Sequence, residues 1–475
     1  MASEEDPGAT RPSAGAIAEL RAQLKGEVVL PGEPDYDTAR NVWNGIIDKY
    51  PALVVRCLDV DDVIACVEFA RISAIPLAIR GGGHSQAGHG TCDDGLVIDM
   101  SPMKEIRVDP ETGTARVQGG VQWGELDEET MRFGLAVTGG QISSTGVAGL
   151  TLGGGVGWLH NKLGLTIDSL LSAEIVTADG EVLTASETEN PDLFWGLRGG
   201  GGNFGVVTTF EFRLHPVGTV LGGIVIHDGQ DAQSVLEFYQ EFATTSPDDL
   251  TLMAILWTAT LDPWVPQELR GKQLIGLAVC YAGDIERGMQ DLEPLRSFGN
   301  PLTDLIRPMP YTELQRLLDD TNLPGTPNYW KSGYLHDLTG EAIDTVARYA
   351  YEMPSPLSKV LITNMKGAVR RVGEEETAFG DRDAPHYLEV LAKWEDPSSE
   401  RHIAWANDTF EAMAEFSTGG TYVNFLGEEG QDRVRAAYGD RGNYERLTDL
   451  KTKYDPTNLF RLNQNIPPKI ERTAR

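Results

Sequence analysis

The chain has 475 residues, with 71 Asp and Glu against 40 Lys and Arg, for a formal net charge of −31. A field of that sign repels phosphate backbones and anionic lipid, which argues against nucleic-acid and membrane-surface partners. An apolar share of 41% excludes a disordered chain, and the length suits about three units of ordinary domain size.

The opening MASEEDPGATRPSAG has neither the basic nor the apolar region of a secretion signal, and residues 1 to 15 read as a flexible polar tail. No stretch reaches the ~20 apolar residues of a membrane-spanning helix. Four scattered cysteines, Cys57, Cys66, Cys92 and Cys280, form no CxxC pair and read as free buried thiols in a reducing cytoplasm. Asn407-Asp408-Thr409 has the form of a glycosylation acceptor, which has no use without secretion.

After the tail, SAGAIAELRAQLKGEVVLPGEPDY reads as a short helix, a strand and a turn. PALVVRCL is strand-like, and DVDDVIACVEFARISAIP has helical apolar spacing with acidic residues at its start, where the helix dipole favours them. LAIRGGGH is a strand that runs into a glycine loop. Strands follow at GLVIDMS and KEIRVDPETGTARVQGG, then a helix at VQWGELDEETMRFG. Two more glycine-dense segments come next, GGQISSTGVAGLTLGGGVG at 139–157 and RGGGGNFGVV at 198–207. From about 219 the texture changes: longer alternating strands (GGIVIHD, LTLMAILWTATL, QLIGLAVCYAGD, KVLITNMKGAVRRV) exchange with amphipathic helices, as in an antiparallel sheet covered on one side. Near 418 it changes again, with a strand-like TYVNF and the terminal YERLTDLKTKYDPTNLFRLNQNIPP.

The three glycine loops imply an extended ligand that the backbone approaches closely, and runs of loop N–H groups suit a pyrophosphate. Tight turns of a β-rich protein are the competing account. Neither a GxGxxG dinucleotide fingerprint in its βαβ setting nor a GxxxxGK[ST] loop is present, and no residues stand at metal-ligand spacing. His84, straight after Gly81, Gly82 and Gly83, suits either a loop hydrogen bond or chemistry.

Four segments in order decide between these accounts. IRGGGHSQAGHG, GVAGLTLGGGVGWLHNKLGLTIDSL, NPDLFWGLRGGGGNFGVVTTFEFRLHP and the terminal stretch resemble the berberine-bridge-enzyme-like branch of the vanillyl-alcohol-oxidase flavoprotein superfamily, and its bacterial nicotine-oxidase type in particular. The resemblance spans nearly the whole chain. It implies an α+β fold: a two-lobed PCMH-type FAD-binding domain over 16–218, a substrate-binding domain over 219–417 with an antiparallel sheet flanked by helices, and a segment 418–475 returning to the first domain.

It also implies FAD joined covalently through His84 to the flavin 8α-methyl group, a role for which a neutral imidazole is nucleophilic near pH 7. Flavin contacts are expected from Arg80, Gly81, Gly82, Gly83, Ser85, Gly88 and His89 in the first loop. The second loop would supply Gly139, Gly140, Thr145, Gly146, Gly149, Gly153, Gly154 and Gly157. Val206, Val207, Tyr422 and Asn463 complete the set. Many relatives carry a second link from a cysteine, but Ile142 stands at that position, so no cysteine link is expected. Leu150 and Val156 replace the histidine and tyrosine of other members.

The implied reaction moves a hydride from a small alcohol, sugar or amine to the flavin, with O2 as acceptor and H2O2 as product. A dehydrogenase with another acceptor, or a non-catalytic flavin carrier, are the alternatives; the position that gates oxygen aligns near Thr145. Tyr422 and Asn424, two apart on the predicted strand and so on one face, are expected to take the proton or orient the substrate, with Gln86 beside them. Trp330 and Tyr334, in NYWKSGYLHD with Tyr329 and Lys331, would supply part of the substrate wall, with core packing the competing role for at least two of the aromatics. Arg370 and Arg371 stand near the plant catalytic glutamate, either as exposed strand cations or as cavity cations for a substrate carboxylate.

Overall fold

A computed structural model describes residues 11–260, 265–439 and 441–469. The first helix, Ala14–Gln23, is capped by the Ser13 hydroxyl accepting from the Ala16 N–H, so it begins inside the segment read as tail.

Two small sheets follow. The first has the spatial order Glu27–Val29, Leu53–Arg56, Leu96–Asp99, Leu77–Arg80, and its last three strands are parallel. The acidic start of the helix Val60–Ser73 sits where expected: the Asp59 carboxylate accepts from the Asp62 N–H and caps it. The second sheet is antiparallel, ordered Ile106–Asp109, Thr114–Gln118, Val206–Arg213, Leu170–Val176, Val182–Ser186.

The large sheet is antiparallel throughout. From one edge it runs Thr219–Asp228, Gln273–Tyr281, Leu250–Thr258, Lys359–Asn364, His386–Lys393, Asn328–Leu335, with Thr303–Asp304 and Arg307–Pro310 flanking Thr219–Asp228. Strand alternation gives it two different faces. Leu252, Ala254, Leu256, Val360, Ile362, Leu388 and Val390 pack on the helices Ala232–Thr245, Gly340–Tyr351 and Glu400–Ala412. The first of these helices presents Val235, Leu236, Tyr239, Phe242 and Ala243, a helical spacing that makes one apolar stripe. Ile255, Trp257 and Leu361 point the other way, into a separate core with Trp158, Val217 and Leu318. One strand is shorter than its sequence predicts: Lys359–Asn364 stops before Gly367, whose φ of 58° turns the chain into the short helix Ala368–Arg371.

The C-terminal stretch packs on the second sheet, with Leu447, Leu450, Tyr454 and Ile466 in one core with Trp123, Phe210 and Phe212. A fully buried cation pins it there. The Lys451 ammonium donates to the Asp455 carboxylate at 2.7 Å and to the carbonyls of Asn203 and Phe460, each at 2.8 Å. A second buried pair, Arg382 on Asp168 at 2.7 and 3.0 Å, joins the loop before His386–Lys393 to the first half of the chain. Lys451→Met strands the Asp455 carboxylate in the interior, so unfolding by denaturant should require roughly 3–5 kcal/mol less.

Candidate functional site

The loop after Leu77–Arg80 is held from behind. The Arg80 guanidinium donates to the buried Asp99 carboxylate at 2.8 Å and to the Asn41 carbonyl at 3.2 Å. The loop then passes against a second loop with no space between the backbones: a Cβ on Gly82 would lie 2.3 Å from the Gly146 nitrogen, and one on Gly146 would lie 2.3 Å from that of Gly82. Glycine is required at both places. The contact brings Ser144 to His84, with Ser144 Oγ 3.0 Å from His84 Nε2. Trp43 stacks on the imidazole with ring centres 5.0 Å apart and planes 19° from parallel. Surrounding protein pushes the His84 pKa down to about 4, so the ring is neutral at pH 7 although its edge opens to the cleft.

Most of the residues singled out in the sequence line one cleft. Arg80, Gly81, Gly82, Gly83, His84, Ser85, Gln86 and His89 come from the first loop, and Gly140, Thr145, Gly146 and Gly149 from the second. Val206, Val207, Tyr422, Asn424, Asn463 and Trp330 also face it. Ile142 lines it as well, whereas the four cysteines are buried elsewhere.

Five glycines do not line it and serve packing instead. A Cβ on Gly157 would lie 1.6 Å from the Gly139 carbonyl oxygen, so these two let chain segments cross. Gly139 also abuts Trp123, Gly88 abuts Ile47, Gly153 abuts Asn424, and Gly154 abuts Phe379.

Three further expectations are corrected. Tyr422 and Asn424 are not on a strand: Tyr422 leads into the single 3₁₀ turn Val423–Phe425, and the Asn424 amide donates to the Tyr422 oxygen at 2.8 Å. That oxygen also accepts from the Gly155 N–H at 3.0 Å, and burial pushes its pKa up to about 12. Tyr334 lies four strand positions beyond the cleft-lining Trp330, 1% exposed, where the chain at Thr418 and Gly420 bonds to its backbone. Arg370 and Arg371 are exposed on Ala368–Arg371, away from the cleft, and Arg371 pairs with Asp248 at 2.6 Å. Of their neighbours in NYWKSGYLHD, Lys331 pairs with Glu429 at 2.8 Å, and Tyr329 turns to the helical side, donating to Asn407 at 3.0 Å.

The opposite wall of the cleft is the open face of the large sheet, and cross-strand register makes it a grid. Trp257, Lys359, Leu391 and Trp330 form one row across four strands. Ile255, Leu361, Glu389 and Ser332 form the next. All but Ser332 line the cleft. Glu389 is the one carboxylate among the lining residues. It is 3% exposed, its Oε1 has no hydrogen-bond partner among the described residues, and burial raises its pKa to about 8. Sequence reasoning missed Glu389, Lys359, Trp257, Trp43 and Ser144. A signal existed for Glu389: it is a lone acid inside the apolar strand HYLEVLAK.

The residues fit a dinucleotide. Gly149 and Gly202 face the cleft with nothing within 4 Å of where a Cβ would stand, and backbone can reach a ligand there. Asn463 Oδ1, Gln86 Oε1 and His89 Nε2 are buried polar atoms with no partner among the described residues. A glycine-lined cleft beneath an antiparallel sheet, in an α+β chain, matches the PCMH-type FAD-binding oxidoreductases among its structural neighbours. Residues 51–186 match the FAD binding domain family, and residues 421–467 match the berberine and berberine-like family. An uncharacterized FAD-linked oxidoreductase of Bacillus subtilis is 32% identical, over 94% of this chain and 98% of its own. (R)-6-hydroxynicotine oxidase of Paenarthrobacter nicotinovorans is also 32% identical, over 94% of this chain and 97% of its own. The crystal structure of 6-hydroxy-D-nicotine oxidase from Arthrobacter nicotinovorans superposes with a TM-score of 0.85 at 29% identity, covering 94% and 98% of the two chains. The chain belongs to the berberine-bridge-like FAD-linked oxidoreductases and is an enzyme of that family. No helix among the described residues is long and apolar enough to cross a membrane.

The raised pKa of Glu389 couples to stability. An unfolded glutamate loses its proton near about pH 4.3, whereas the folded one keeps it to about 8. Between those values the folded state binds the extra proton, so stability falls as pH rises through the window. Urea unfolding at pH 5 and pH 8 should show that fall shrink in Glu389→Gln, by on the order of a few kcal/mol.

Proposed function

We propose that the enzyme oxidises a carbon bearing a hydroxyl or amine on an aromatic substrate, with FAD held covalently by His84 and dioxygen as the final acceptor. Bound FAD supplies a two-electron acceptor for the hydride. The chain's own part is to hold the flavin, orient the substrate and take the proton released from its O–H or N–H.

The observation that carries this reading is Glu389. It is a buried carboxyl in the wall of the cleft, unpartnered at Oε1, with a pKa near the working pH of a general base. Tyr422 is poorly suited to that task. Its oxygen accepts from three other groups, and burial pushes its pKa up to about 12, so no phenolate is available at neutral pH. Tyr422 instead supports the loop Gly155–Val156, and the Asn424 amide bridges it to the Leu150 carbonyl. Trp43, Trp257, Trp330 and Phe425 give the substrate region broad aromatic surface, which favours a planar ring over an oligosaccharide needing many hydrogen bonds. Nicotine-type oxidases among the relatives support both the aromatic substrate and the oxygen acceptor.

For the covalent link, His84 offers a neutral imidazole, and Ile142 with four buried cysteines offers no second attachment. Acid-precipitated enzyme should stay yellow, and His84→Ala should release its flavin; colour lost from wild type would overturn the covalent assignment. Anaerobic mixing with aromatic amines and benzylic alcohols should bleach the flavin where oligosaccharides do not. In Glu389→Gln the bleaching rate should fall by roughly 10²–10⁴-fold while the flavin spectrum is kept. The wild-type rate should decline as pH drops below about 8, because the base must be ionised to accept a proton. Readmitting air should return one peroxide per substrate oxidised; a reduced flavin that persists in air would transfer the acceptor role to another oxidant.

A further inference from the structure

We propose that Ser144 is a positioning residue for flavin attachment: its hydroxyl holds His84 Nε2 and so selects Nδ1 as the atom that bonds the cofactor. This rests on the covalent reading of His84 given above.

The imidazole is constrained on two sides. Ser144 Oγ lies 3.0 Å from Nε2, and Nδ1 has no hydrogen-bond partner among the described residues. The face of the ring lies on Trp43. Trp43 is itself fixed, its indole N–H donating to the Asn322 carbonyl at 2.9 Å and its backbone N–H to the Gly83 carbonyl at 3.1 Å. Rotating the imidazole by half a turn would bring a carbon in place of Nε2 and forfeit the Ser144 contact. The ring therefore has one favoured orientation before any ligand arrives.

That orientation also chooses a tautomer. A neutral imidazole carries one N–H, and a hydroxyl can accept from it. With the proton on Nε2 and donated to Ser144, the lone pair sits on Nδ1, which is the nucleophilic nitrogen. As Nδ1 forms its bond to carbon, positive charge develops on the ring, and a hydrogen bond from a charged donor is stronger than one from a neutral donor. Ser144 thus stabilises the charge that develops on the ring while the bond forms, before the Nε2 proton leaves. In the complete step a bond forms between Nδ1 and the carbon of the flavin 8-methyl group. That carbon loses one hydrogen as a proton, and the imidazole loses its Nε2 proton. The two electrons left on the flavin pass, with two protons, to dioxygen as hydrogen peroxide.

The serine is in reach because Gly82 and Gly146 let the two loops touch. In sequence the two side chains are 60 positions apart.

The test uses the full-length chain prepared under flavin limitation and given excess FAD in air, with acid-stable flavin followed over time. Ser144→Ala should bind FAD but attach it roughly tenfold more slowly, in line with loss of one partner from a partly buried hydrogen bond. Ser144→Thr, which keeps the hydroxyl, should restore the rate. The flavin peptide of wild type, digested and compared with the two histidyl-flavin isomers, should carry the bond at Nδ1. Attachment by Ser144→Ala at the wild-type rate, failure of Ser144→Thr to restore it, or a bond at Nε2 would each overturn the assignment. The isomer is read on wild type, so that arm decides even if a variant does not fold. Wild type with no acid-stable flavin would overturn the covalent reading and this one together, whereas the other three results leave the covalent reading standing.

Discussion

The contact between the backbones at Gly82 and Gly146 is the constraint on which the cleft depends. Two loops from separate parts of the first half of the chain meet there with no room for a Cβ on either side. Their meeting aligns a run of backbone along the cleft floor and sets His84 between Trp43 and Ser144. Behind the first loop, the buried Arg80–Asp99 pair ties it to the neighbouring parallel strand, so its exit direction is fixed by an interaction that breaks only at high cost. The glycines lose backbone entropy on folding, and what they provide in return is proximity.

The large sheet contributes the other half of the site by having two unlike faces. One is an ordinary helix-covered core. The other is left for the cleft, and register across four strands turns it into a patterned wall of Trp, Leu and Ile with one lysine and one glutamate. Glu389 is held there at an energetic disadvantage once ionised, because the apolar wall solvates charge poorly. That same wall gives it basicity suited to proton transfer near neutral pH. With Glu389 as the proposed base, stability and chemistry are opposed at this position, as is common where a fold keeps an ionisable group away from water.

The last part of the chain joins the two halves. Lys451, with three oxygen acceptors and no exposure, fixes the terminal helix against the loop at Asn203, next to the glycines that line the cleft. The 3₁₀ turn at Val423–Phe425 then carries the Tyr422 oxygen to the Gly155 and Val156 N–H groups, with the Asn424 amide bonded to that oxygen and to the Leu150 carbonyl.

The sequence alone determined the family, the cofactor class, the alternating strands of the large sheet and the importance of the glycine loops. Those features are local: a glycine cluster or a period-two apolar pattern means the same thing wherever the chain later goes. Several loop glycines were nevertheless misassigned, since Gly139 and Gly157 relieve a chain crossing that no local pattern announces. Arg370 seemed close to the site only while its segment was read as continuing strand; Gly367 ends that strand and turns the arginines outward. Glu389, Lys359 and Trp257 became site residues only through tertiary structure. Which face of a strand meets the cleft, and which residue stands beside which, depends on register, and a shift of one residue would turn Glu389 into the helical core. Ser144 and His84 likewise meet through loop packing, a relation between distant segments that the order of residues does not encode locally.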